Sequence, residues 1–447
     1  MSAFRGERIA VVGLGVAGRA AARVLAEEGA SVRVTEERPD VEGADEILEL
    51  GVEILTGGHR PEHLDGVTAV VASPGVPEGA PVLRWASDRG LPIWSELDVG
   101  ARLCKVPYVA ITGTNGKSTT TELVATMMRA AGLDAVACGN IGYPFSMAAR
   151  ESREALAVEA SSFQLRFHHW VHPQVSVLLN VAPDHLDWHG SLRGYVAAKA
   201  RVYELQRDGD THVGNAEDDR ALGISRAAPC KAVWFRLAEP GPGEVGYVDG
   251  EVVARVGDEV SLGRPVQDSA GFRADAAAAA AAALAFGLSD DAVAEGIRSM
   301  RPLPHRGEVV ACAGAVEFVD DSKATNVHAA LHALAGRRDV VLIAGGLSKG
   351  VGLAPLATGA SSLAGVVAIG EAAPEIVQVF EGLLPVRRAE SIEEAVRTAH
   401  GLAPAEGTVL LAPACASWDM FHDYAERGER FATAAREVAE GAGRGAA

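Results

Sequence analysis

Cysteine is scarce, positive charge is in deficit and no apolar run is long enough to cross a bilayer; each shortage argues against a class of protein. Five cysteines (Cys104, Cys138, Cys230, Cys312 and Cys415) are scattered over 447 residues. Their number is odd and their spacing is not that of a metal site, which speaks against a disulfide scaffold or structural zinc and for reduced thiols in a cytosol. Lysine and arginine number 41 against 59 aspartates and glutamates, a formal charge of −18. A field of that sign repels polyphosphate backbones and anionic lipid, so no nucleic-acid partner and no membrane role is expected. A small anion held in a local cradle is still compatible with it. The longest apolar run, residues 276–286, is mostly alanine and falls well short of the ~20 residues a bilayer needs. It reads as a buried helix whose small side chains let neighbours come close. The opening MSAFRGERIAVVGLG passes straight into a strand without the apolar core of a signal peptide, so a cytoplasmic protein is expected.

What is present is more specific. In residues 109–120, VAITGTNGKSTT, an apolar strand meets a glycine-rich turn, a lysine and a hydroxyl-rich helix start. Gly113, Thr114, Asn115 and Gly116 let backbone N–H groups converge on phosphate oxygens. Lys117 neutralises β/γ charge, and Ser118, followed by Thr119, stands at the helix N-terminus where it can ligate Mg²⁺. ATP is therefore expected. The spacing is a variant, because Ile111 occupies the position of the first glycine of the general phosphate-loop pattern.

Length and periodicity suit an α/β protein of three domains in series. The first, residues 1–98, is Rossmann-like, with strands expected at 8–12, 31–35, 67–73 and 92–94 and a helix at 19–29. The second, residues 99–300, is a P-loop ATPase-like parallel sheet containing strands at 155–159 and 175–180, an exposed Pro- and Gly-rich hairpin at 239–250 and the alanine helix. The third, residues 301–447, is again Rossmann-like, with strands at 316–320, 339–344, 366–369 and 408–412.

Gly13-Leu14-Gly15-Val16-Ala17-Gly18 follows a strand and opens a helix, and Glu36 closes the second strand where a ribose-binding acid belongs. The motif's physics is close approach of the Gly15, Val16 and Ala17 backbone to a pyrophosphate, which a nicotinamide dinucleotide and a UDP-sugar both satisfy. UDP is favoured, because a redox enzyme leaves the ATP cradle unexplained. Ser73 and Gly75 form a second loop on the same sheet edge, and Arg38 is a candidate for the uracil.

Glu159 ends a strand on the edge that carries the P-loop, so Ser118 and Glu159 would flank one Mg²⁺ with phosphate oxygens and water. In Asn180-Val181-Ala182-Pro183-Asp184-His185, the next strand's end projects His185 toward the same space, with Asp184 placed to orient its ring. Lys199 follows fourteen residues later on a helix returning to that edge.

The blocks TGTNGKST, GNIGYP (139–144), VEASSFQL (158–165), NVAPDHLDWH (180–189), AAKARVY (197–203), PHR (304–306), DDSKATN (320–326), GGLSKG (345–350) and LAPACAS (411–417) together resemble the Mur ligase family, its D-glutamate-adding members most of all. The resemblance implies that ATP phosphorylates the carboxylate of UDP-N-acetylmuramoyl-L-alanine and that the amine of D-glutamate displaces the phosphate. It implies that Lys199 is carbamylated by CO₂ and, with His185, holds a second Mg²⁺, so that Lys117, His185, Lys199 and Lys323 form the catalytic set. Asn140 would contact the muramyl substrate, Arg306 the ATP phosphates and Asp321 the ribose. Thr325, Lys349, Ser417 and Tyr424 would receive the amino acid; at 424 the family commonly has phenylalanine.

One block departs from the family. Where His-Asn-x-x-Asn usually precedes the alanine helix, this chain has Gly271-Phe272-Arg273-Ala274-Asp275. Adenine contacts are then expected from Asp275, Arg273 or Asn215. The competing readings are a folylpolyglutamate synthetase type of ligase, an NAD-binding oxidoreductase and a catalytically silent UDP-sugar sensor. A monomer is expected.

Overall fold

The computed structural model describes residues 3–41, 43–267 and 269–445. Its strands form three sheets, and the chain divides into two compact units. One holds the described residues of 1–181, 188–268 and 272–300; the other holds 182–187, 269–271 and 301–447. Among the described residues no helix is long and apolar enough to cross a membrane.

The first unit contains two sheets. The smaller runs Glu53–Leu55, Ser31–Thr35, Arg8–Val12, Ala69–Ala72, Ile93–Trp94 in spatial order, all parallel. This is the doubly wound order, which opens a crevice at the carboxyl edge beside Arg8–Val12. The first helix, Val16–Glu27, begins earlier than its periodicity suggests. Gly18 explains why the turn can be so tight: a Cβ there would lie 2.0 Å from the Gly13 carbonyl oxygen and 2.4 Å from Ser73 Oγ.

The larger sheet has nine strands. Ala135–Gly139, Ala155–Glu159, Tyr108–Thr112, Val175–Leu178, Thr211–Asn215, Lys231–Phe235 and Glu244–Val248 run parallel, each beside the next named. Tyr108–Thr112 is thus interior and wholly buried. Thr211–Asn215 is hard to read from sequence because its core face is polar. His212 is fully buried between Ser176 Oγ and Ser225 Oγ at 2.7 and 2.8 Å, and burial drives its pKa down to about 3. The hairpin expected to be exposed at 239–250 is different in kind. Its strands, Glu244–Val248 and Glu251–Ala254, pair antiparallel around Asp249 and Gly250, both at positive φ, and they bury Val245 and Tyr247. The alanine helix spans Ala270–Phe286, with Ala276 to Ala283 at zero exposure.

The two sheets are fastened by side chains from both. Arg102 bonds Glu7 at 2.8 Å and lies over the rings of Phe4, Trp94 and Trp170, and Trp188 Nε1 donates to the Val76 carbonyl at 2.9 Å.

In the second unit the order is Glu308–Ala313, Val316–Asp320, Thr408–Ala414, Val340–Gly345, Leu363–Ile369, Val386–Arg388, parallel except for the first strand. Helices cover both faces, so both alternating sets of Val340–Gly345 are buried: Val340, Leu342 and Ala344 in one cluster, Val341 and Ile343 in the other.

Candidate active site

The phosphate loop sits where the interior strand Tyr108–Thr112 ends and the helix Lys117–Ala130 begins. Gly116 caps that helix at φ 85°. The loop is held from below by Asn180, whose Oδ1 accepts from Asn115 N at 2.9 Å and whose amide donates to Asn115 O at 3.1 Å. Thr114 N donates to the Asn180 carbonyl at 3.0 Å. Lys117 Nζ donates to the carbonyls of Gly113 and Thr114 at 3.0 and 2.9 Å. Ser118 and Thr119 follow in the first turn, largely buried.

Lys199 is 1% exposed. It stands in the last turn of the helix Leu192–Ala200, which the Ser191 side chain caps by accepting from Gly194 N. Its Nζ donates to the same Gly113 carbonyl at 2.6 Å and lies 4.6 Å from the centre of the Tyr195 ring. Tyr195 in turn bonds Thr114 Oγ1 at 3.0 Å. Tyr195 was not singled out from sequence; its i, i+4 spacing from Lys199 is the signal that exposes it. Two lysine side chains thus converge on one loop carbonyl, that of Gly113.

Glu159 is 2% exposed, at the end of its strand. Oε1 accepts from Asn140 Nδ2 at 2.8 Å, whereas Oε2 is buried without a hydrogen-bond partner. A buried carboxylate oxygen left unpaired is costly unless something cationic completes it. With the Ser118 hydroxyl it supplies hard oxygen donors of the kind Mg²⁺ prefers.

The adenine candidates are placed differently from one another. Asp275 Oδ1 presses on Gly116, 2.0 Å from where a Cβ would stand. The Asn215 amide is already used by the Leu179 carbonyl and Glu217 N, and Arg273 lies 6.0 Å from the Tyr247 ring.

On the smaller sheet, Gly15 and Val16 are exposed at the helix start and Ala17 is half-buried. Ser73 Oγ donates to the Gly13 carbonyl at 2.8 Å, and Gly75 beyond it is exposed. Glu36 is not an open ribose acceptor. It takes Leu14 N at 2.6 Å, Arg38 N at 3.0 Å and the Arg38 guanidinium at 3.0 and 3.1 Å. Burial raises its pKa, but these bonds outweigh burial and bring it to about 2. Arg38 is correspondingly committed to Glu36, though its side chain is more than half exposed.

The second unit holds the remaining residues. Asp321, Lys323 and Thr325 lie in the loop after Val316–Asp320, Lys349 after Val340–Gly345 and Ser417 after Thr408–Ala414. All follow carboxyl ends of parallel strands, the edge where such sheets bind ligands. Burial raises the Asp321 pKa to about 7; Arg306 and Arg337 oppose that rise and Asp320 adds to it. Lys323 Nζ stands 3.6 Å from the centre of the Tyr424 ring. Behind the loop the fully buried Arg427 donates to Ser322 Oγ, the Ser322 carbonyl and the Cys415 carbonyl at 3.0, 2.8 and 3.3 Å. His305 bonds buried Asp320 at 2.6 Å.

His185 belongs to the compact unit that holds the third sheet. Asp184 Oδ1 accepts from its backbone N at 2.9 Å, while the ring Nε2 is 3.6 Å from Oδ2. Asp184 therefore fixes the His185 main chain, at φ 52°, more than the ring.

Three stretches match known domains: the Mur ligase MurD-like N-terminal domain at residues 7–95, the Mur ligase middle domain at 111–242 and the Mur ligase glutamate ligase domain at 305–415. The UDP-N-acetylmuramoylalanine–D-glutamate ligase of Frankia casuarinae is 43% identical over 454 residues, covering 97% of this chain and 94% of that one. The chain belongs to the Mur ligase family. The like-named ligase of Streptomyces avermitilis is 40% identical, with 98% and 99% of the two chains covered. The fold of this Mur ligase is similar to that of UDP-N-acetylmuramate-alanine ligase MurC from Thermotoga maritima, with a TM-score of 0.61 at 19% identity, covering 96% and 99% of the chains. As a Mur ligase it is an ATP-dependent, amide-bond-forming enzyme.

Proposed function

We propose that this Mur ligase joins D-glutamate to UDP-N-acetylmuramoyl-L-alanine in cytoplasmic peptidoglycan precursor synthesis, converting ATP to ADP and phosphate through an acyl phosphate. Residues 1–98 are assigned to the UDP substrate, 99–300 to ATP and 301–447 to the amino acid. A carboxylate is a poor electrophile. Its oxygen attacks the γ-phosphorus of ATP, ADP departs, and the alanyl carbon then carries a good leaving group. The D-glutamate amine adds to that carbon, loses a proton, and phosphate leaves as the amide forms.

The P-loop backbone and Lys117 hold the phosphates and stabilise the charge that grows during transfer. Arg306 is assigned to phosphate, Asp321 to ribose and Lys323 to the reacting groups. Asn140 is assigned to the muramyl substrate, and Thr325, Lys349, Ser417 and Tyr424 to the amino acid. Glu159 and Ser118 would hold one Mg²⁺, and His185 with the carbamate of Lys199 a second; the ions would supply charge neutralisation to the phosphoryl oxygens. Lys199 is the candidate for carbamylation: Nζ, having given up one proton, adds to the carbon of CO₂ and releases a second, so that an anionic oxygen donor replaces a cation.

The observation that carries this reading is the buried Lys199 ammonium bonded to the P-loop carbonyl of Gly113. An exposed helix lysine would support no such role. The test is phosphate release from ATP with a panel of amino acids. Release that requires both UDP-N-acetylmuramoyl-L-alanine and D-glutamate is expected, and turnover supported by L-glutamate or by a folate alone would reject the assignment.

A further inference from the structure

Lys349 reaches its position with most of its bonding capacity already committed. Its side chain is 15% exposed, and Nζ donates to Asp184 Oδ1 at 3.3 Å and to Thr325 Oγ1 at 3.2 Å. An ammonium has three N–H donors, so one is left. Asp184, 4% exposed, cannot swing to follow a ligand, because Asn326 Nδ2 grips Oδ2 at 3.0 Å while Oδ1 accepts the His185 N–H at 2.9 Å. Asn326 is itself fixed, its Oδ1 capping the helix Val327–Leu334 through Ala329 N at 2.9 Å.

We infer that Asp184 is a positioning residue for the amino-acid substrate: with Thr325 it turns the Lys349 ammonium so that a single N–H meets one substrate carboxylate. The inference rests on the assignment of Lys349 to the amino acid. Asp184 also cancels most of the lysine's charge, so recognition depends on direction more than on bulk attraction, and a carboxylate approaching from the Asp184 side is repelled. The same oxygen fixes the His185 backbone, so the segment carrying that histidine and the amino-acid lysine share one anchor.

The test is steady-state kinetics of Asp184→Asn, Lys349→Met and the double variant, with melting curves as a fold control. Asp184→Asn is expected to raise KM for D-glutamate roughly 10-fold, the effect of misdirecting one charge-assisted hydrogen bond, with KM for ATP and for the UDP substrate within about 2-fold of wild type. In the Lys349→Met background the same change is expected to have no further effect on KM for D-glutamate. An unchanged KM for D-glutamate, equal rises in all three KM values, or full additivity in the double variant overturns the inference. Should Asp184→Asn fail to fold, Asn326→Ser, which keeps a capping hydroxyl but drops the donor to Asp184, decides by the same criterion. Wild-type enzyme inactive with D-glutamate overturns the functional reading and this inference together, whereas wild-type turnover with the variant's KM unmoved overturns this inference alone.

Discussion

Lys199 Nζ lies 2.6 Å from the carbonyl oxygen of Gly113, a residue 86 positions earlier in the chain. The bond brings the end of one helix onto the phosphate loop, and it places a lysine where a surface cation has no reason to be. A buried ammonium forfeits hydration, which marks this lysine as a candidate functional group. Lys199→Ala is expected to lower kcat at least ~100-fold, the scale of losing one transition-state electrostatic contact. ADP affinity, measured by calorimetry, should stay within about 3-fold because Lys117 and the loop backbone are intact. Undiminished phosphate release would remove Lys199 from the mechanism.

Glu159 offers a second handle, since Asn140 occupies only one of its oxygens. Glu159→Gln retains the size and the bond to Asn140 but replaces the unpaired anionic oxygen. The Mg²⁺ concentration for half-maximal turnover is expected to rise roughly 10-fold, as for loss of a metal-site contact, with maximal rate partly recovered at high Mg²⁺. A titration that superimposes on the wild-type curve would show that no magnesium is held there.

Asp321 sets a pH dependence whose sign follows from burial. Its folded pKa is raised to about 7, above the ordinary carboxylate value, so between those two values the folded chain binds the proton more tightly than the unfolded one. Stability from this group is complete below the unfolded pKa and is lost as pH rises through about 7. Asp321→Asn cannot titrate. Melting temperatures of variant and wild type should move apart in the variant's favour from pH 5 to pH 8, while KM for ATP rises in the variant at pH 8, where the carboxylate would accept from ribose. Parallel melting profiles would contradict the raised pKa.

Backbone-dictated features were legible from sequence. The turn at 113–116 and the fingerprint at 13–18 need glycine for reasons of space, and the helices they open are where the glycines require them to be. Thr211–Asn215 was obscured because buried His212 satisfies its polarity with two serines rather than by apolar packing. Glu36 has the spacing of a ribose acid, yet Arg38, two residues on, and the folded-back Leu14 N–H take its oxygens. The bond between Asp184 and Lys349 joins residues 165 positions apart, a separation at which no local pattern operates. Motif glycines and lysines thus mark where chemistry occurs, while the charges that tune them come from tertiary contacts.

Gly116 is the point at which the loop's geometry and the alanine helix meet. Its φ of 85° is left-handed, and an added Cβ would fall 2.0 Å from Asp275 Oδ1 and 2.9 Å from Asp275 Cγ. An L-residue in that conformation already costs about 1–2 kcal/mol. The clash adds to this, because the Asp275 carboxylate must turn aside while its backbone stands on a helix whose next turns are alanines packed at zero exposure. Gly116→Ala should therefore distort the loop ahead of Lys117 and weaken ADP binding at least ~10-fold by calorimetry, about 1.4 kcal/mol. Adding Asp275→Ala should restore part of the loss by removing the clash while leaving the backbone strain. Full restoration would assign the whole effect to the carboxylate, and Gly116→Ala binding within 2-fold of wild type would show that the contact between loop and helix does not constrain the phosphate cradle.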